Sequence, residues 1–186
     1  MSTEASFGPT ALVTPANAVT MLRVAITPIL LAMILSGGDS WPAVVFWIVL
    51  ASTDGLDGYL ARRHGTTRSG AFLDPLADKF LVLGAMAALV VWGTFWWLPV
   101  ALVALREALI STYRSLAGRR GISIPARQWA KVKTVVQEVA VGFALLPLTA
   151  SRVDWVATSV LWLAVALTVV TGAQYLLDGR KAARAG

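Results

Sequence analysis

The 186-residue chain contains no cysteine, a single histidine and few charged side chains. Without cysteine it has no disulfide framework and no thiolate ligand for zinc, and one histidine does not make a zinc site. Charged residues make up 14% of the chain, whereas 57% of the residues are hydrophobic and eight are tryptophan. This balance is too apolar for an ordinary soluble domain and predicts a protein that crosses a membrane several times.

Residues 1–16 contain no lysine or arginine, so they lack the basic start of a cleavable signal peptide. Pro9 and Pro15 interrupt any long helix there. We expect a short interfacial helix through Ala11, Leu12 and Val13, and a cytoplasmic or interfacial position for the whole segment.

Six apolar stretches of about the length that crosses a bilayer follow. We predict membrane helices at residues 17–35, 41–62, 70–92, 95–117, 129–148 and 155–177. The predicted fold is therefore an all-α integral membrane protein with a six-helix catalytic domain at 17–178 and a basic cytoplasmic tail at 179–186.

The distribution of positive charge predicts the orientation. Lysine and arginine concentrate after the second, fourth and sixth spans, whereas the opposite loops contain only Arg152. The positive-inside rule puts both termini in the cytoplasm, with the protein in a bacterial inner membrane. The net charge of +6 lies beside apolar spans, which favours lipid headgroups and phosphate substrates over nucleic acid as partners.

Four aspartates, Asp54, Asp57, Asp74 and Asp78, interrupt the second and third spans. An ionised aspartate costs roughly 3 kcal/mol near the centre of an inserting helix, and a bound divalent cation is the simplest compensation. Spacings of three and four residues put each pair on one helix face, and an antiparallel hairpin would let the two pairs face each other. Such hard oxygen ligands suit Mg²⁺ or Mn²⁺, with room for two ions. The alternative, that they only cap helix ends, leaves the second member of each pair unexplained.

A longer pattern, D-x-x-D-G-x-x-A-R followed by G-x-x-x-D-x-x-x-D, covers eight residues: Asp54, Asp57, Gly58, Ala61, Arg62, Gly70, Asp74 and Asp78. It resembles the signature of the CDP-alcohol phosphotransferases, and all eight defining positions are filled. The resemblance implies a homodimeric membrane enzyme that moves a phosphatidyl or similar group from a CDP-linked donor, such as CDP-diacylglycerol, to an alcohol and releases CMP.

The same resemblance implies a role for each position. Asp78 would be the base for the acceptor hydroxyl while also contacting a metal ion. The remaining aspartates would hold metal. The CDP donor would contact small and polar residues, namely Asn17, Thr20, Gly58, Ala61, Arg62, Thr67 and Gly70.

Further residues bear on the acceptor. The motif N-x-x-T-x-x-R that ends at Arg23, the pair Arg106-Glu107 and the K-x-K-T run after Ala130 resemble those of bacterial phosphatidylglycerophosphate synthases, whose acceptor is glycerol 3-phosphate. Arg106 lies in an apolar run, where a buried arginine needs an anion. The expected acceptor-phosphate ligands are Arg106, Arg114, Lys131 and Lys133. Alternatively, Arg106 pairs with Glu107 or Glu138, and the other three serve only as topology signals.

Other functions lead to different expectations. A phosphatidylinositol-phosphate synthase would also use basic acceptor residues, whereas a cardiolipin synthase needs no phosphate-binding cluster. A divalent-cation transporter would carry polar residues along a path to the far side, but residues 41–49 and 80–91 are apolar. An inactive relative would usually have lost a signature residue, and none is missing.

Overall fold

Helices occupy nearly all of the chain that the structure describes. The structure, a computed structural model, describes residues 15–64, 68–119, 128–150 and 154–185, and within them the side chains at 17–53, 75–113, 115–117, 132–148, 155–175 and 177. The helices are α1 (Pro15–Gly37), α2 (Trp41–His64), α3 (Arg68–Trp92), α4 (Trp97–Arg119), α5 (Gln128–Leu145), α6 (Pro147–Ala150) and α7 (Asp154–Ala185). These parts contain no strand, so the predicted all-helical fold is confirmed for them. The expected interfacial helix at Ala11–Val13 lies outside the described residues.

The six long helices coincide with the six predicted spans to within a few residues, except at two ends. The fifth span was expected to reach Leu148, but α5 ends at Leu145, because Pro147 lacks an amide hydrogen and disfavours a helical conformation at Leu146. At the other exception, α7 continues to Ala185, so the basic segment expected as a separate tail is helical.

Three segments of the described helices are long and apolar enough to cross a membrane, namely Asn17–Gly37, Pro75–Trp92 and Trp155–Tyr175, with a shorter apolar stretch at Trp41–Thr53. The count of six spans therefore remains a prediction. Large apolar side chains such as Val45, Ile48, Leu105 and Leu109 are exposed on the helix surfaces, as expected where lipid covers the protein.

Two helices end at glycines in the left-handed conformation. Gly38 has a φ of +61°, and its amide donates to the carbonyl oxygen of Ile34 at 2.8 Å. Gly93 has a φ of +96° and ends α3 in the same manner, with its amide 3.1 Å from the carbonyl oxygen of Leu89. Glycine adopts this conformation without the steric cost that a Cβ brings. The two glycines thus terminate α1 and α3 and let the chain turn towards the next helix.

The helix packing makes α1 the shared neighbour of the two aspartate helices. α1 packs against both α2 and α3, α5 packs against α7, α2 and α3, and α4 packs against α7 and α3. Direct contact between α2 and α3 is slight at most over the described residues, so the two acidic helices are brought together mainly through α1. The buried core that joins the helices includes Leu30, Leu81, Val103, Val141 and Leu161.

Candidate active site

The four aspartates lie on two helices that share α1. Asp54 and Asp57 belong to α2, and Asp74 and Asp78 belong to α3. The side chain of Asp78 is partly buried, and the other three carboxylates lie outside the described side chains. Among the described side chains, no three acidic, histidine or cysteine residues gather into a metal site. A donor set made only of carboxylates fits a hard divalent cation better than zinc.

A polar stripe runs along the buried face of α1. Asn17, Thr20, Arg23 and Thr27 follow one another at intervals of three and four residues, and all four are almost completely buried. These intervals return to one side of a helix. The sequence predicted Asn17 and Thr20 as donor contacts, and the structure places them together on the face that carries this stripe.

Arg23 connects the stripe to the start of the acidic motif. Its Nε donates to Thr53 Oγ1 on α2 at 3.0 Å, and Thr53 immediately precedes Asp54. The arginine's own carbonyl accepts from Thr27 Oγ1 at 2.7 Å. A buried guanidinium is thus fixed beside the α2 backbone where the aspartates begin.

The other residues predicted to contact the CDP donor are not among the described side chains. Gly58, Ala61 and Arg62 lie on α2, and Gly70 lies on α3, all outside the described side chains. Thr67 lies outside the described residues altogether.

A charged cluster on the neighbouring helices is centred on Glu107 of α4, which is 7% exposed. Glu107 Oε1 accepts from Lys133 Nζ on α5, and from Arg106 Nη1 at 3.0 Å. Its other oxygen, Oε2, lies 3.8 Å from Lys79 Nζ on α3. Lys79 also donates to Ser111 Oγ on α4. One carboxylate therefore contacts three cations from three helices.

Arg106 is anchored on α7 as well as on Glu107. Its Nε donates to the carbonyl oxygen of Thr168, and its Nη2 donates to Thr171 Oγ1, both at 3.0 Å. Gln137 of α5 reaches the same place, because its Nε2 donates to Thr168 Oγ1 at 3.1 Å. The ion pair with Glu107, which the sequence offered as the alternative for Arg106, is present. Arg114 and Lys131, the other two expected phosphate ligands, lie on α4 and α5 outside the described side chains.

The sequence did not predict two members of this cluster. Glu107 is its centre, and Lys79 is one of the cations around it. The available signals were an acid beside Arg106 within an apolar run and a lysine directly after Asp78. Neither signal specifies a partner, since the partners of Lys79 and Lys133 are 32 and 26 residues away in the chain.

Two cavities adjoin these groups. One of about 790 Å³ lies between α1 and α3, and its lining is apolar except for Thr20 and Lys79. Another of about 470 Å³ lies between α2 and α5, where Ser52 and Glu138 are its polar lining residues. Lys79 therefore borders both the first cavity and the Glu107 cluster.

Aspartates on two helices that both pack against α1, a buried polar stripe on α1 and a basic cluster that includes Lys79, the residue after Asp78, are features that a membrane transferase of phosphate esters would need. The comparison with known proteins specifies the class, since residues 13–170 match the CDP-alcohol phosphatidyltransferase family, and the chain belongs to that family. Its members generally use divalent metal ions.

Similar proteins come from several bacteria. A probable phosphatidylglycerophosphate synthase of Mycobacterium tuberculosis H37Rv is 40% identical over 87% of this chain and 79% of its own length. The CDP-diacylglycerol–glycerol-3-phosphate 3-phosphatidyltransferases of Rickettsia felis and Shigella flexneri are 33% and 38% identical, over 89% and 87% of this chain and over 94% and 92% of their own lengths. The resemblance drawn from the sequence is confirmed, and the chain is a transferase of the bacterial membrane.

Proposed function

We propose that this protein transfers the phosphatidyl group of CDP-diacylglycerol to glycerol 3-phosphate, forming phosphatidylglycerophosphate and releasing CMP. The observation that carries the choice of acceptor is the cluster around Glu107. Three basic side chains around one carboxylate give these described side chains an excess of positive charge. A phosphate monoester carries a charge of about −1.5 to −2 near neutral pH, so it matches this excess. The names of the relatives support the same donor and acceptor.

The reaction exchanges one phosphorus–oxygen bond for another. The acceptor's hydroxyl oxygen attacks the phosphorus that bears the diacylglycerol, and the bond from that phosphorus to the bridging oxygen breaks. CMP leaves with the bonding electrons, and the carboxylate of Asp78 accepts the hydroxyl proton. Partial burial of Asp78 suits this role, because a base shielded from bulk water stays available to the substrate.

Asp54, Asp57, Asp74 and Asp78 would hold the divalent cations, which we take to be two Mg²⁺ or Mn²⁺ ions. When bound, the ions neutralise charge on the donor's pyrophosphate and on the leaving CMP. Asn17 and Thr20 would contact the nucleotide from the polar stripe of α1, with Gly58, Ala61, Arg62, Thr67 and Gly70 completing the donor site.

The acceptor-phosphate ligands that we propose are Arg106, Arg114, Lys131 and Lys133. Of these, Lys133 and Arg106 share Glu107 Oε1, which holds two positive groups close together. For the whole protein we propose six membrane spans, an inner-membrane location with the site and both termini on the cytoplasmic side, and a homodimer.

The experiment is CMP release by the purified protein in detergent with Mg²⁺ and CDP-diacylglycerol. Glycerol 3-phosphate, inositol 1-phosphate, free inositol and phosphatidylglycerol are offered separately as acceptors, and a reaction without acceptor serves as the blank. Turnover with glycerol 3-phosphate and not with the other three supports the proposal. Turnover only with inositol 1-phosphate or phosphatidylglycerol would instead identify a phosphatidylinositol-phosphate synthase or a cardiolipin synthase.

A further inference from the structure

Lys79 is the one lysine of α3, and it directly follows Asp78 in the chain. Its Nζ donates to Ser111 Oγ and lies 3.8 Å from Glu107 Oε2. The other carboxylate oxygen of Glu107 accepts from Lys133 Nζ. The two ammonium groups are thus held at opposite oxygens of one carboxylate, beside the residue that we propose as the base.

Lys79 differs from Arg106 in what holds it. All three nitrogens of the Arg106 guanidinium donate to protein atoms, two of them to α7. Lys79 has a loose ion pair, since 3.8 Å exceeds the usual hydrogen-bond distance between nitrogen and oxygen. An ammonium group on a flexible four-carbon stem also turns to a new partner more readily than a guanidinium held at three points.

Accessibility separates the two lysines. The Lys133 side chain is 7% exposed, whereas that of Lys79 is 32% exposed and lines the cavity between α1 and α3. Lys79 is therefore the more accessible of the two ammonium groups. Glu107 keeps both cations near each other until an anion arrives.

We propose that Lys79 binds the phosphate group of the acceptor together with Lys133, and that Glu107 sets the spacing of their two ammonium groups. This inference rests on the proposed function. Asp78 and Lys79 lie on the same turn of α3, so a phosphate bound by Lys79 keeps the acceptor near the turn that carries the proposed base. Lys79 thereby selects a phosphorylated acceptor over its unphosphorylated alcohol.

The test compares the wild-type protein with Lys79→Met, Lys79→Arg and the matched control Lys181→Met, which removes a lysine charge near the C-terminal end of α7 instead. KM for glycerol 3-phosphate, KM for CDP-diacylglycerol, and the ratio of turnover with glycerol 3-phosphate to that with glycerol are measured in detergent. We expect Lys79→Met to raise the KM for glycerol 3-phosphate by about tenfold or more. The ratio of turnover with glycerol 3-phosphate to turnover with glycerol should fall by about the same factor. The KM for the donor should change by less than about twofold, and Lys79→Arg should restore most of the acceptor affinity.

Thermal unfolding of each variant shows whether it is folded, and Lys79→Gln, which can still donate to Ser111, replaces Lys79→Met if that variant does not fold. An unchanged acceptor KM in a folded variant would overturn the inference. A rise in the KM for CDP-diacylglycerol alone would also overturn it, because Lys79 would then contact the donor's phosphates. An equal loss of turnover with glycerol 3-phosphate and glycerol, together with a lower unfolding temperature, would overturn it as well and show that Lys79 has a structural role. These results leave the proposed function standing. Failure of the wild-type protein to use glycerol 3-phosphate would overturn both.

Discussion

Gly172 of α7 lies so close to Arg106 of α4 that a Cβ at the glycine would stand 3.1 Å from the arginine Nε. The same arginine donates to Thr168, which lies one turn of α7 before Gly172, and to Thr171, the residue directly before it. The absence of a side chain at 172 therefore leaves the space in which the Arg106 guanidinium connects α4 with α7.

Filling this space should destabilise the protein. We expect Gly172→Val to lower the free energy of unfolding by about 1–3 kcal/mol, the usual range for overpacking, because Arg106 must leave its hydrogen bonds. Thermal unfolding in detergent measures the change. Gly37→Val is the matched control, since a Cβ there meets nothing within 4 Å. Equal stability of the two variants would show that Arg106 adapts without loss.

Glu107 is expected to stabilise the cluster by compensating the cations around it. Glu107→Gln leaves Lys133 and Arg106 buried without their carboxylate, and removing one partner of a buried pair typically costs about 3–5 kcal/mol. We expect the double variant Glu107→Gln/Lys133→Met to be more stable than Glu107→Gln, as measured by thermal unfolding. A double variant whose loss equals the sum of the two single losses would show that the pair is not coupled.

Asp78→Asn should abolish CMP release while the protein stays folded. An amide cannot accept the hydroxyl proton, and loss of a general base typically lowers the rate by about 10²–10⁴-fold. The measurement is single-turnover CMP release, with thermal unfolding as the check on folding. Full activity in this variant would remove Asp78 from the role of base.

Lys133→Ala and Arg106→Ala should both raise the acceptor's KM more than the donor's. We expect an effect of about tenfold for Lys133→Ala, since a charge-assisted hydrogen bond is lost. Arg106→Ala should in addition lower the unfolding temperature, because it also removes the contacts with α7. Steady-state kinetics with each substrate varied in turn separates the two effects, and a rise confined to the donor's KM would contradict the assignment.

Removal of divalent metal should stop the reaction. We expect a chelator in excess to abolish CMP release, and added Mg²⁺ or Mn²⁺ to restore it, because the donor's pyrophosphate then regains its counter-charge. Asp57→Asn should weaken metal binding measured by isothermal titration calorimetry in the absence of substrate. Activity that persists in the chelator would exclude a metal-dependent transfer.

The sequence predicted the helices well, because long apolar stretches bounded by glycine, proline or charge leave few other options for a chain in lipid. Pro147 shows the limit of this approach. The apolar stretch continues to Leu148, and only the backbone chemistry of proline ends α5 at Leu145.

For the candidate site, too, one part could be predicted from the sequence and another part could not. Periodicity predicted that Asp74 and Asp78 share a face of α3, and the structure describes the second of these side chains. Periodicity did not reveal which helices are neighbours, and the Glu107 cluster depends on that information, since α3 and α5 each bring one lysine to α4. The pairing of Arg106 with Glu107 was foreseeable as an alternative because the two are consecutive, whereas its bond to Thr171 spans 65 residues.

The buried polar stripe of α1 has a consequence for the pairing of α1 with α2. α1 precedes α2 in the chain, and Arg23 lies in the N-terminal third of the apolar segment Asn17–Gly37, where an arginine costs less than the roughly 2.5–3.5 kcal/mol that it costs at the centre of an inserting helix. The hydrogen bond from Arg23 to Thr53 forms only once α2 lies beside α1. We infer that α2 stabilises α1 in the bilayer through this hydrogen bond, so that this part of the substrate pocket is complete only when the two helices are paired.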